Sequence, residues 1–161
     1  VKYEDAQLAV DKYTAGFLWL LQIQEWDVQV NHNNFNGERT AGDVVIDLDY
    51  RRATIRLDYT WADDEEELLG WLFHECIHIL VGQYELFKTC AFQHVEGAGL
   101  QALKRIWVFA MERTIVSIEH AFKNGVGKTA KEVSEAGLEK AAQAMPGKYG
   151  EKDSEGTTGK E

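Results

Sequence analysis

Cysteine is nearly missing from this chain of 161 residues. The two present, Cys76 and Cys90, are too few for a disulfide framework and lack CxxC spacing. Long apolar runs are missing too. The longest, residues 15–21 and 106–111, fall far short of the roughly 20 residues that span a bilayer. Positive charge is in deficit, with 17 Lys plus Arg against 27 Asp plus Glu, a formal net charge of −10. No Lys/Arg cluster breaks the excess, so nucleic acid and anionic membrane surfaces are disfavoured as partners. No basic segment leading into an apolar one marks a secretory leader, and the expected location is the cytoplasm. What remains, 45% hydrophobic and 27% charged, is the balance of one globular domain with a real core.

The charge and the aromatic residues are unevenly placed. From Lys123 onward seven Lys balance seven acids, so residues 1–122 carry the whole −10, and all five Trp lie before Phe122. This divides the chain into a domain over 1–122 and a polar tail over 123–161. Within the tail, a weak helix from Thr129 to Met145 carries Ala130, Val133 and Leu138 inward; Gly137 interrupts it and Pro146 stops it. Beyond Pro146 the composition predicts disorder.

The front part is regularly patterned. Ala6, Val10, Tyr13, Phe17 and Leu20 recur at three- and four-residue steps, predicting an amphipathic helix from Tyr3 to Leu21. The period then becomes two: Trp26, Val28 and Val30 mark one strand, followed by a polar loop over 31–42 that includes His32. Val44 to Tyr50 and Ala53 to Tyr59 give two further strands, their phase broken at Arg51-Arg52 without the usual Asn-Gly turn signal. Asp63 or Asp64 caps the next helix, Glu65, Glu66 and Glu67 complement its dipole, and Gly82 ends it. Residues 83–98 are ambiguous, and a last firm helix runs from Leu100 to Phe122. The order is α+β rather than a βαβ repeat. The Trp residues are expected in the core.

The second helix contains HECIH, an instance of HExxH. His74 and His78, four apart, leave the same face with Cβ atoms about 5–6 Å apart, so two nitrogens can reach one ion at the ~2.0–2.1 Å of a Zn–N bond. Glu75 lies about 100° around the helix, beside such an ion, where it can take a proton from bound water. Cys76 points about 200° away from His74 and reads as a buried hydrophobe. The flanking residues Leu72, Phe73, Ile77, Ile79 and Leu80 are uncharged, so the motif places ionisable groups in an otherwise apolar helix. A cation would relieve that cost.

Catalytic zinc takes three protein ligands and a water, so one more is needed. Glu112 sits among Trp107, Val108, Phe109, Met111, Ile115 and Val116, where a carboxylate facing a packed interior needs a counter-charge. Otherwise it pairs with Arg105 or Arg113, or points to solvent. Glu119, two turns on, is placed to orient a histidine. His94, Glu96 and His120 are alternatives to Glu112, and Cys90 is a weaker one.

The chain resembles the zincin metallopeptidases, and among them the gluzincin type, in which HExxH is followed by a Glu on a later helix. WLFHECIHIL (71–80) fits the fuller pattern around the motif. The strand RRATIRLDY (51–59) and the helix MERTIVSIEHAF (111–122) are similar to elements of small single-domain zincin-like proteins encoded by phages and prophages. The resemblance covers residues 3–122. It implies a minimal zincin-like fold and zinc (Zn2+) on His74, His78 and Glu112. It also implies hydrolysis of peptide bonds with Glu75 as general base, in host cytoplasm if the protein is phage-encoded. The partner is then a peptide or protein substrate, which could pair against Ala53 to Tyr59 as a sheet edge. The alternative is a catalytically weak or inactive zinc-binding, virion-associated interaction protein. No large substrate-binding domain is recognisable, and Tyr84, His94 and His120 are the candidates for stabilising an oxyanion.

Overall fold

Eight elements follow from the patterning in a computed structural model that describes residues 2–35 and 40–145. They are α1 (Tyr3–Leu20), β1 (Asp27–His32), β2 (Gly42–Asp47), β3 (Arg52–Leu57), α2 (Glu65–Val81), α3 (Gln83–Phe92), α4 (Gly97–Gly125) and α5 (Ala130–Ala144). Over the described residues the fold is mixed α+β, five helices with one small sheet. The ambiguous stretch resolves into α3 and the start of α4, and His32 ends β1 rather than lying in the loop. Disorder beyond Pro146 was expected for residues outside those described. No helix among the described residues is long and apolar enough to cross a membrane.

The apolar stripe of α1 is buried as its spacing requires: Ala6, Val10, Tyr13, Phe17 and Leu20 are all at most 6% exposed. Phe17 stacks on Phe73 of α2 with ring centroids 4.9 Å apart. Helix α2 starts where capping predicts, with the Asp64 carboxylate accepting from the Glu67 N–H at 2.9 Å. It is the central element, burying Leu68, Leu69, Leu72, Phe73, Cys76, Ile77 and Ile79 against α1 and the sheet.

The three strands are ordered β1-β3-β2, with β3 parallel to β1 and antiparallel to β2. Ala53, Ile55 and Leu57 of β3 face the core. The β2–β3 hairpin pairs Asp47 with Arg52 across a four-residue loop. Arg51 there takes a left-handed conformation (φ 50°), and the Asp47 carboxylate accepts from the Tyr50 N–H. Loop length thus replaces the missing Asn-Gly turn. One expectation is overturned. The segment Ala53 to Tyr59 is no sheet edge: β3 is the central strand, its hydrogen-bonding sides taken by β1 and β2. The strongest alternation of buried and outward residues belongs to the strand with neighbours on both sides.

The packed body runs past Phe122. Ala130 and Val133 of α5 belong to the same core as α1 and α2. Thr129 and Glu132 form a reciprocal capping box at the start of α5, and Glu66 of α2 accepts from the Ala130 and Lys131 N–H groups there. Gly137 does not interrupt this helix. It lets α5 lie backbone to backbone on α1, since a Cβ at Gly137 would stand 1.8 Å from the Gly16 carbonyl oxygen, and one at Gly16 would stand 2.1 Å from that of Ser134. Ser134 seals the crossing by donating its hydroxyl to the Tyr13 carbonyl at 2.6 Å.

Two further expectations change. None of the five Trp is fully buried; they border the core, and Trp61 is 43% exposed. The first half of α4 is not a packed interior either, because Ile106, Val108 and Phe109 are 63%, 58% and 64% exposed. Only Ile115 of α4 is buried, with Met111, Ile118 and Phe122 partly so against the core.

The helix crossing gives a direct test. Gly137→Ala is expected to destabilise the protein by about 1–3 kcal/mol through overpacking, despite the better helix propensity of Ala. Gly70→Ala in α2, where a Cβ meets nothing within 4 Å, is expected to be neutral or to stabilise by up to about 1 kcal/mol. Urea unfolding of the two variants reads this, and equal stability would refute the close crossing.

Candidate metal centre

The HECIH segment lies where α2 turns one face to the core and the other to α4. Glu75, Cys76, Ile77 and Ile79 are buried, while His74 and His78 each keep 24% of the side chain exposed. The two imidazoles meet edge-on, 66° between planes and 5.0 Å between centroids, neighbours by their four-residue separation on one helix.

Glu112 reaches across from α4 and meets both. Its Oε2 is 3.3 Å from His74 Nε2 and its Oε1 is 3.4 Å from His78 Nε2. One ligand atom from each of the three lies within 4.8 Å of the others, the only such group found among the described residues. The reason for Glu112 differs from the one its neighbours implied: its side chain is 46% exposed, so no buried carboxylate demands a counter-charge. Position carries the argument instead. Arg113 does not take the carboxylate; its guanidinium stacks over the Phe109 ring, 5.6 Å from the centroid.

On the other side of His74, Glu119 Oε2 stands 3.5 Å from Nδ1. A carboxylate at Nδ1 keeps the proton there and leaves Nε2 with its lone pair outward, the arrangement by which outer carboxylates prepare ligating histidines. Burial works against the His74 proton, but the hydrogen bond and charge of Glu119, with Glu75 and Glu112, outweigh it and raise the pKa above the ordinary value.

Glu75 lines a cleft of about 750 Å³ together with His74, Glu119 and Trp71. Burial drives its pKa up from the ordinary 4.5 to about 7, a tendency that the neighbouring His74 opposes. Such a carboxyl exchanges protons near neutrality, as a general base must. The start of β2 closes one side: a Cβ at Gly42 would stand 3.3 Å from Glu75 Oε1.

The other sequence candidates lie outside the group of three. His94, Glu96, Cys90 and His120 are exposed, and Tyr84, 53% exposed, sits on α3. Burial pushes the Cys76 thiol well up, as for an inert core cysteine. Sequence reasoning did not find the second role of Glu66, which caps α5, or the pairing of Arg56 with Asp43 between β3 and β2. The first contact joins elements far apart in sequence; the second follows from the hairpin register, which places Asp43 opposite Arg56.

The donor set fits a divalent transition ion. Two imidazoles and one carboxylate suit zinc, and three protein ligands leave a position for water. Comparison with protein-family models, with curated proteins and with solved structures finds no match to this chain.

The raised pKa of Glu75 fixes the sign of a stability effect in chelator-treated protein. The folded state holds this proton more tightly than the unfolded chain, so the stabilisation is complete below pH 4.5 and is lost as pH rises through about 7. The raised His74 acts in the same direction. Unfolding free energy is expected to fall by on the order of 3 kcal/mol from acid to neutral pH, with a flatter profile for Glu75→Gln. Denaturant titrations with EDTA at several pH values measure it. A wild-type profile as flat as the variant's would remove burial as the cause.

Proposed function

We propose that the protein is a zinc-dependent metallopeptidase, with zinc on His74, His78 and Glu112 and with Glu75 as general base. The observation that supports this reading best is the position of Glu112, whose two oxygens face the Nε2 atoms of both motif histidines. A zinc ion held there would supply a water of pKa about 7 and polarise a carbonyl beside it.

The chain's own residues do the rest. Glu75, buried in the cleft wall, accepts the proton of the attacking water and returns it to the leaving amine. Glu119 fixes the His74 ring through Nδ1, so that Nε2 stays aimed at Glu112. With β3 occupied on both sides, β1 and β2 are the outer strands, and the one that reaches the cleft and can take an extended substrate is β2. It is an outer strand, and its first residue, Gly42, lies beside Glu75. Main-chain pairing there would lay a peptide along the cleft independently of side-chain identity.

Elemental analysis of protein purified without added metal tests the site. About one zinc per chain is expected for wild type and far less for Glu112→Ala. Glu119→Ala should keep the metal with about 10–100-fold lower affinity, read by chelator competition. Glu75→Gln is expected to bind zinc normally and to lose hydrolysis of a peptide library. Hydrolysis retained in that variant would exclude Glu75 as the base, and a wild type without metal after zinc loading would end the metallopeptidase reading.

A further inference from the structure

One face of α2 carries a graded series toward the proposed catalytic group. Asp64 caps it and Glu67 stands in its first turn, with Trp71 one turn later and His74 and Glu75 one turn beyond that. All of them line the same cleft. Asp63 and Glu66 extend the acidic end, and Lys123 of α4 is the one Lys or Arg in the lining among the described residues.

These carboxylates are held, not neutralised. Asp64 accepts the Glu67 N–H, Glu67 the Asp63 N–H, and Glu66 the N–H groups that open α5. Backbone donors orient a carboxylate without cancelling its charge. The acidic end of the cleft therefore keeps a fixed negative field. Capping alone explains why α2 begins with acids, but not why they share a cleft with an aromatic ring and the Glu75 carboxyl. Concave walls of one sign concentrate the field and draw in ligands of the opposite charge. An indole face beside carboxylates is a favourable seat for a guanidinium or ammonium group.

We propose that this cleft selects peptides bearing an Arg or Lys side chain near the bond addressed by Glu75, a specificity that rests on the metallopeptidase reading. Glu67 and His74 are separated by about 10 Å of helix at 1.5 Å per residue, which extended chain covers in about three residues. The cation therefore sits within about three residues of the scissile bond. Trp71 packs against its aliphatic stem, and the first-turn carboxylates of α2 take the charge.

Two labelled peptides, identical except that arginines in one replace glutamates in the other, test this. Their binding to zinc-loaded Glu75→Gln protein is followed by fluorescence anisotropy, and their cleavage by zinc-loaded wild type is followed in parallel. The Arg peptide is expected to bind at least about tenfold more tightly at low salt. The gap should narrow as the Debye length falls to about 3 Å at 1 M salt, and should shrink in a protein also carrying Asp63→Lys. Equal binding of the two peptides, or a preference untouched by both salt and Asp63→Lys, would overturn the proposal. Equal cleavage of both by wild type would overturn it while leaving the peptidase reading intact. Preferential binding of the Arg peptide with cleavage of neither would support the selection and count against the peptidase reading.

Discussion

The site depends on how α4 is held against α2. Apart from Ile115, α4 buries no residue fully, and much of its first half stands in solvent. Its docking face alternates two kinds of contact. Met111, Ile115, Ile118 and Phe122 pack on the core, with Phe122 edge-on to Phe73 at 5.7 Å. Between them Glu112 and Glu119 meet the imidazoles. The apolar residues set the distance between helices, and the carboxylates use that distance to reach His74 and His78. Moving α4 by one residue, about 100° of rotation, would turn both carboxylates away and would also put Glu112, Val116, Glu119 and Lys123, or Ala110, Thr114, Ser117 and Ala121, where the four apolar residues stand. Hydrophobic packing and the pairs with histidine therefore specify the same register.

A second economy lies in the acidic start of α2. The same few carboxylates cap their own helix, cap α5 and line the cleft. Stability and electrostatics are thereby tied together: substituting Glu66 alters the charge of the cleft and also strips the partners from the first N–H groups of α5. Asp63 is different, because its hydrogen bond within this turn is made by its backbone N–H. Its side chain bears on the field more than on the scaffold.

Much of this was legible in the sequence, and the failures share a cause. Helix α1 declares itself by period and α2 by its cap and apolar run, because both are local; α5 reads only as a weak helix, although Thr129 and Glu132, three apart, specify its start between them. The HECIH pair is equally local, since the helix fixes the relation of His74 to His78. Strand order is not local. Ala53 to Tyr59 carries the cleanest alternation, yet nothing within it says whether one strand or two lie beside it. Glu112 was found through its apolar neighbours, but half of those neighbours are exposed, and only α4's path across α2 explains its position. Gly137 shows the same limit: within α5 it is a weak helix former, and its purpose is visible only beside Gly16.

The pairing of α1 with α5 also orders events in time. Ser134 and Tyr13 bond across 121 positions of sequence, and closing a loop of that length costs about 4 kcal/mol of chain entropy by its logarithmic dependence alone. During synthesis from the N-terminus, His74, His78, Glu112 and Glu119 all emerge before the helix that completes the cover of α1. The nascent chain thus carries its full set of proposed ligands while the α1 surface around Gly16 still lacks α5, the last partner to join the core.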